Sequence, residues 1–162
     1  MVREKVQIVE NILNANDQIA EENRVFFDNH GITALNIMAS PGAGKTSVIL
    51  KTIELLSHEI RMAVIEGDTA PVTIDADKIS GVNTPVIQIN SSGNCHLDAL
   101  MIRNGLIQMD LQDINLIIIE NIGNLICPAA FDLGAHSNVV IASLPEGDDK
   151  PYKYPNIYRG ID

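Results

Sequence analysis

The octet Ala39-Ser40-Pro41-Gly42-Ala43-Gly44-Lys45-Thr46 decides the fold. It fits the phosphate-loop pattern with alanine in the first glycine position, between an apolar stretch, Leu35-Asn36-Ile37-Met38, and an amphipathic one, Lys45–Ser57. A strand that passes through glycines into a helix start curls successive N–H groups into one concavity, and the helix adds its positive end to that field. Gly42, Ala43, Gly44, Lys45, Thr46 and Ser47 are therefore the expected nucleotide-binding residues. Lys45 is placed for the β- and γ-phosphates and the Thr46 hydroxyl for Mg²⁺. The competing reading is a glycine-rich turn holding a chance Gly-Lys-Thr.

Outward from the loop, short apolar runs recur at Thr33–Ala39, Arg61–Glu66, Pro85–Asn90, Ile114–Asn121 and Asn138–Leu144, with helical patterns at Lys45–Ser57 and Leu97–Met109 between them. Strands apolar on both faces and separated by helices require a mostly parallel sheet covered on both sides, so the expected fold is a layered α/β domain. Ahead of it, residues 1–31 repeat apolar positions at helical spacing (Val2, Val6, Val9, Leu13) and stop at Asn29-His30-Gly31, which predicts an amphipathic helix or a broken pair. Tyr152–Asp162 reads as a short helix.

The 162 residues suit a single domain, with an aliphatic core because aromatics are only 4%. A formal charge of −10 with no lysine- or arginine-rich run argues against nucleic acid as a partner. No apolar run approaches the ~20 residues that span a bilayer, so no membrane segment is expected. Two cysteines 32 positions apart with no signal peptide ahead favour a reducing compartment, and the cytoplasm is the expected location.

Hydrolysis needs a held metal and an oriented water. Asp68, in Ile65-Glu66-Gly67-Asp68, and Glu120, in Ile118-Ile119-Glu120-Asn121, fall at the carboxyl ends of predicted strands, the edge at which open α/β sheets bind ligands. Asp68 is the candidate for Mg²⁺ or water, and Glu120 for the acid after a core strand, with the Gly123 N–H facing the γ-phosphate. Cys95-His96 falls on the same edge, and Cys127 follows the next strand. If those two strands are neighbours, two thiolates and an imidazole form a three-ligand set for Zn²⁺ or Ni²⁺. Buried cysteines acting as small hydrophobes and a Cys–His nucleophile remain alternatives.

Pro41–Thr46, Ile65–Asp68, Cys95-His96-Leu97-Asp98-Ala99, Glu120–Pro128, Phe131-Asp132-Leu133-Gly134 and Glu146–Pro151 with Lys153-Tyr154-Pro155, in this order, closely resemble the HypB family, the nickel-handling GTPases of nickel-iron hydrogenase maturation. The resemblance implies a P-loop GTPase of the class that dimerises around nucleotide. Lys45, Asp68 and Glu120 then carry catalysis, Thr46 and Asp68 hold Mg²⁺, and Gly123 with Glu120 senses the γ-phosphate. It also implies that Cys95, His96 and Cys127 bind nickel or zinc at a homodimer interface, and that the partners are a hydrogenase large-subunit precursor and other maturation proteins. Asp98 would cap the following helix or orient the imidazole.

Family members continue into a further strand and an Asn-Lys-x-Asp motif that reads guanine, and no such motif stands in these residues. The sheet is accordingly expected to be short by one strand on its C-terminal side, with an uncovered edge. The second functional reading is a truncated, weakly or non-hydrolysing metal-binding or interaction module. A third, a small-molecule kinase, would need an arginine clamp, and Arg3, Arg24, Arg61, Arg103 and Arg159 are scattered.

Overall fold

A computed structural model describes residues 2–69 and 84–161, with side chains of the first helix described from Val9 onward. The elements run α1 (Val2–His30), β1 (Thr33–Ala39), α2 (Lys45–Leu56), β2 (Met62–Asp68), β3 (Val86–Asn90), α3 (Ala99–Gln108), β4 (Leu116–Glu120), β5 (Ser137–Ile141), α4 (Lys150–Lys153) and α5 (Pro155–Arg159), with 3-10 turns at Cys127–Ala130 and Leu144–Glu146. The five strands form one wholly parallel sheet in the order β3-β2-β4-β1-β5. The layered α/β expectation is borne out.

Side chains alternate along each strand, so each strand feeds both layers. Ala34, Ala63, Ile65, Ile117 and Ile119 pack with Phe27 of α1 and with Ile102 and Leu106 of α3. Ile37, Met62, Val64 and Ile118 point the other way, onto Ile49 and Ile53 of α2. A smaller cluster seats Ile157 of α5 on Met38 and Leu125.

The first segment is one helix rather than a broken pair. Of the four apolar positions that predict it, the side chains of Val2 and Val6 lie outside the described residues. Its carboxyl half is docked by Asn23, whose amide donates to the carbonyls of Ala99 and Leu133. The helix expected from Leu97 starts at Ala99, because Asp98 takes the extended N-cap conformation and accepts the Met101 N–H at 2.8 Å. The expected C-terminal helix is two turns, and it starts at Lys150. Pro155 has no N–H to continue the first turn and forces Tyr154 out of helical geometry, to φ −127° and ψ 56°.

Strand β5 forms one edge of the sheet, with Val139 exposed, and among the described residues no strand pairs with its outer side. No helix among the described residues is long and apolar enough to cross a membrane.

Candidate functional site

Strand β1 delivers the chain into the phosphate loop at its carboxyl end. Ala39 is the last residue of β1, paired with Ile141, and its extended backbone accommodates the methyl that replaces the usual glycine. Gly42 (φ 74°) and Gly44 (φ 103°) hold left-handed conformations that an L side chain disfavours, which explains glycine at both. Gly44 is the N-cap of α2 and offers no side chain to cap it. The first amides of that helix thus face the loop as an anion cradle. A second tie fixes the loop from outside: hydrogen bonds from Ser40 and from the Ser143 backbone hold the Glu146 carboxyl below the usual carboxylate range.

Alternation now selects the acids. Glu66 and Glu120 share the parity of Val64 and Ile118, so both point to the α2 side, and they face one another across β2 and β4. Both are buried, Glu66 at 3% exposure and Glu120 at 5%, beside Lys45 at 9%. Glu120 accepts the Thr46 hydroxyl at 2.8 Å. Lys45, Glu66, Asp68, Glu120, Gly123 and Cys95 line one cavity of about 330 Å³. Glu66 is not among the residues expected from the sequence, although its spacing of two from Asp68 on a strand places both on one face and is a signal for it. Hydroxyl and carboxylate oxygens from Thr46, Asp68, Glu66 and Glu120 are the hard donors that Mg²⁺ requires, so the residues fit that ion.

Gly123 is where the loop after β4 touches the phosphate loop. A Cβ there would lie 2.8 Å from the Cα of Pro41, a backbone contact that cannot yield by rotating a side chain. Gly123→Ala should therefore displace one loop. With overpacking costing about 1–3 kcal/mol, nucleotide affinity should fall about ten- to a hundredfold in calorimetric titration. Wild-type affinity would show that the two loops do not act together.

The sulfurs meet by a different route from the one the sequence suggests. Strands β3 and β4 are not neighbours, since β2 lies between them. The segment after β3 instead crosses the end of β2 to reach the loop after β4, where the Leu97 N–H donates to Asn121. A Cβ on Gly67 would lie 2.8 Å from the Leu97 side chain, so glycine at that position makes room for the crossing. As a result Cys95 Sγ lies 2.8 Å from Cys127 Sγ and 3.9 Å from His96 Nδ1, and the three ligand atoms fall within 4.8 Å of one another. Both cysteines are free thiols.

Phe131 stacks on the His96 ring at 3.9 Å and 22°, fixing its plane. Burial lowers the His96 pKa, the charge of Asp98 opposing, so the imidazole is neutral and keeps a lone pair for a metal. The Asp98 carboxylate itself is committed to the α3 cap. The contact with Cys95, followed by burial, raises the Cys127 pKa: two sulfurs this close keep a proton until a cation takes its place. Thiolate and imidazole are the donors that Zn²⁺ and Ni²⁺ prefer, and three of them leave a further coordination position open.

Fold and site together define a P-loop nucleotide-binding protein with a soft-metal ligand set at the rim of its phosphate cradle. Residues 33–141 match the family described as CobW/HypB/UreG, nucleotide-binding domain, and the chain belongs to that family. Among curated relatives it is 46% identical over 157 residues to the hydrogenase maturation factor HypB of Azotobacter chroococcum mcd 1, covering 97% of this chain and 51% of that one. It is 40% identical to the probable HypB of Methanocaldococcus jannaschii, covering 97% and 71%. The chain thus spans about half the length of the Azotobacter relative. Among solved structures, HypB from Helicobacter pylori in complex with nickel superposes with a TM-score of 0.84 at 35% identity, over 91% of this chain and 69% of that one. HypB from Archaeoglobus fulgidus gives 0.84 at 39%, over 92% and 72%. The family resemblance seen in the motifs is borne out.

Proposed function

We propose that this chain is a GTP-binding and GTP-hydrolysing metallochaperone that inserts nickel during maturation of nickel-iron hydrogenase, as a nucleotide-dependent homodimer with Ni²⁺ or Zn²⁺ at its interface. The observation that carries the proposal is the shared rim. Cys95, a metal-ligand candidate, lines the same cavity as Lys45, Asp68 and Glu120. The nickel complex of the H. pylori relative supports the metal, and the relatives' role in hydrogenase maturation supports the recipient.

In this reading the amides of Gly42 to Ser47 bind the β-phosphate, and Lys45 bridges to the γ-phosphate. Thr46 and Asp68 hold Mg²⁺, which supplies neutralisation of charge developing on the phosphoryl oxygens. Glu120 orients the Thr46 hydroxyl. Gly123 offers its N–H to the γ-phosphate from the position where it touches Pro41. The exposed Cys95 leaves the ligand set open on one side, where a second copy can complete it.

The test combines metal analysis, GTP turnover and light scattering on the purified chain. About one Ni²⁺ or Zn²⁺ per chain or per dimer, turnover, and a larger mass with a GTP analogue than with GDP are expected. Metal binding with no turnover would favour the non-hydrolysing module, and absence of metal binding would refute the metallochaperone.

A further inference from the structure

The loop that follows β4 grips the metal-ligand segment at two points, and both grips are asparagines. Asn121, fully buried, accepts the Leu97 N–H at 3.2 Å and the Ile122 N–H at 2.9 Å, while its amide donates to Asn36 at 3.1 Å. Asn124 donates its amide to the Cys95 carbonyl at 3.1 Å and accepts the Ile126 N–H at 2.9 Å. Cys95 and His96 are thus bracketed between the two side chains, and Asn124 also braces the residue before Cys127. The Asn124 backbone N–H in turn donates to Ala39 O at 2.9 Å, at the entrance to the phosphate loop. Its neighbour Gly123 abuts Pro41. One residue therefore touches the root of the nucleotide cradle and the backbone beside both sulfurs.

We infer that Asn124 is a positioning residue that couples nucleotide state to metal affinity: movement of the loop at Gly123 changes the spacing of Cys95 and Cys127 through the Asn124 amide. The inference rests on the nucleotide- and metal-binding reading given above. A strut of this kind has two discrete ends, and occupancy at either end biases the other by the same factor. Asn121 holds the same segment from inside the core, where it ties β1 to β4 and serves the fold as well. Asn124 lies at the surface end of the bracket, so its removal separates coupling from folding.

The experiment measures the Kd of Ni²⁺ by competition with a chromophoric chelator, once with Mg²⁺ and GDP and once with Mg²⁺ and a non-hydrolysable GTP analogue. The wild-type chain, Asn124→Ala and Asn124→Asp are compared. The aspartate keeps the acceptor for the Ile126 N–H and loses the donor to Cys95, while the alanine loses both and adds no charge beside the thiols. The wild-type ratio of the two Kd values is expected to differ from one by about fivefold or more, within the usual range of coupling between sites. In both variants it should collapse to about one, with metal and GDP still bound. By reciprocity, the effect of Ni²⁺ on GTP-analogue affinity should collapse equally. A purely structural role would lower the melting temperature or weaken both metal affinities together, leaving the ratio unchanged. An unchanged ratio in either variant overturns the inference alone. A wild-type ratio of one with metal and nucleotide both bound likewise overturns the inference alone, whereas a wild-type chain that binds no metal overturns the underlying reading and the inference with it.

Discussion

Lys45→Ala is expected to reduce GTP kcat/KM by about a hundredfold or more, the scale on which removing a single preorganised charge-stabilising group acts. Lys45 opens α2 at the head of the cradle and is buried at 9% exposure, so its ammonium acts in a partly desolvated site where a charge counts for more than it would in water. Among the described residues no other lysine or arginine lines that cavity, whose remaining charged groups are Glu66, Asp68 and Glu120. Without Lys45 the phosphates of GTP would meet three carboxylates and, among the described lining residues, no cationic side chain. Lys45→Arg should rescue little, since a planar fork cannot replace a compact ammonium in the same space. Steady-state phosphate release checks the rate. Metal stoichiometry should be retained, because the thiols do not depend on Lys45. Unchanged turnover in Lys45→Ala would remove the phosphate role from this loop.

Much of the molecule was legible in the sequence, and its misses have physical causes. The phosphate loop was readable because its chemistry is local: two glycines in left-handed backbone, a strand before and a helix after. The parallel sheet was readable from apolar runs of strand length. Element ends were less so, since Asp98 and Pro155 decide them through a cap and a missing donor. Strand order was not readable, because it depends on which hydrophobic face meets which. Adjacency of β3 and β4 was the expected condition for a metal site, yet the ligands converge with β2 between the strands. What brings them together is the crossing of Leu97 over Gly67 and the bond from Leu97 N–H to Asn121. Glu66 was passed over because a strand acid reads as a solvated charge until parity turns it toward α2.

The second large effect concerns the sulfurs. Cys95→Ala or Cys127→Ala should each lower Ni²⁺ or Zn²⁺ affinity by at least about a hundredfold, beyond the ~10–100-fold that loss of an outer hydrogen-bond partner costs a metal site. Each variant leaves only one thiolate and one imidazole of the three ligands. Neither should abolish GTP binding, although Cys95 lines the nucleotide cavity, because its contact there is at the rim. The pH dependence follows from which group holds the proton. His96 is held below its ordinary pKa by burial, so at neutral pH its ring is already unprotonated and contributes no proton to displace. Cys127 is held above its ordinary pKa by Cys95, so a proton rests on the sulfur pair and leaves when a cation binds. Affinity should therefore rise as pH increases towards the thiol range and fall on acidification, first through the thiols and further once His96 is protonated. Titration calorimetry in buffers of different ionisation enthalpy would read the release directly, with at least one proton expected per metal bound near neutral pH. A pH-independent affinity together with full metal content in both cysteine variants would move the metal to other ligands.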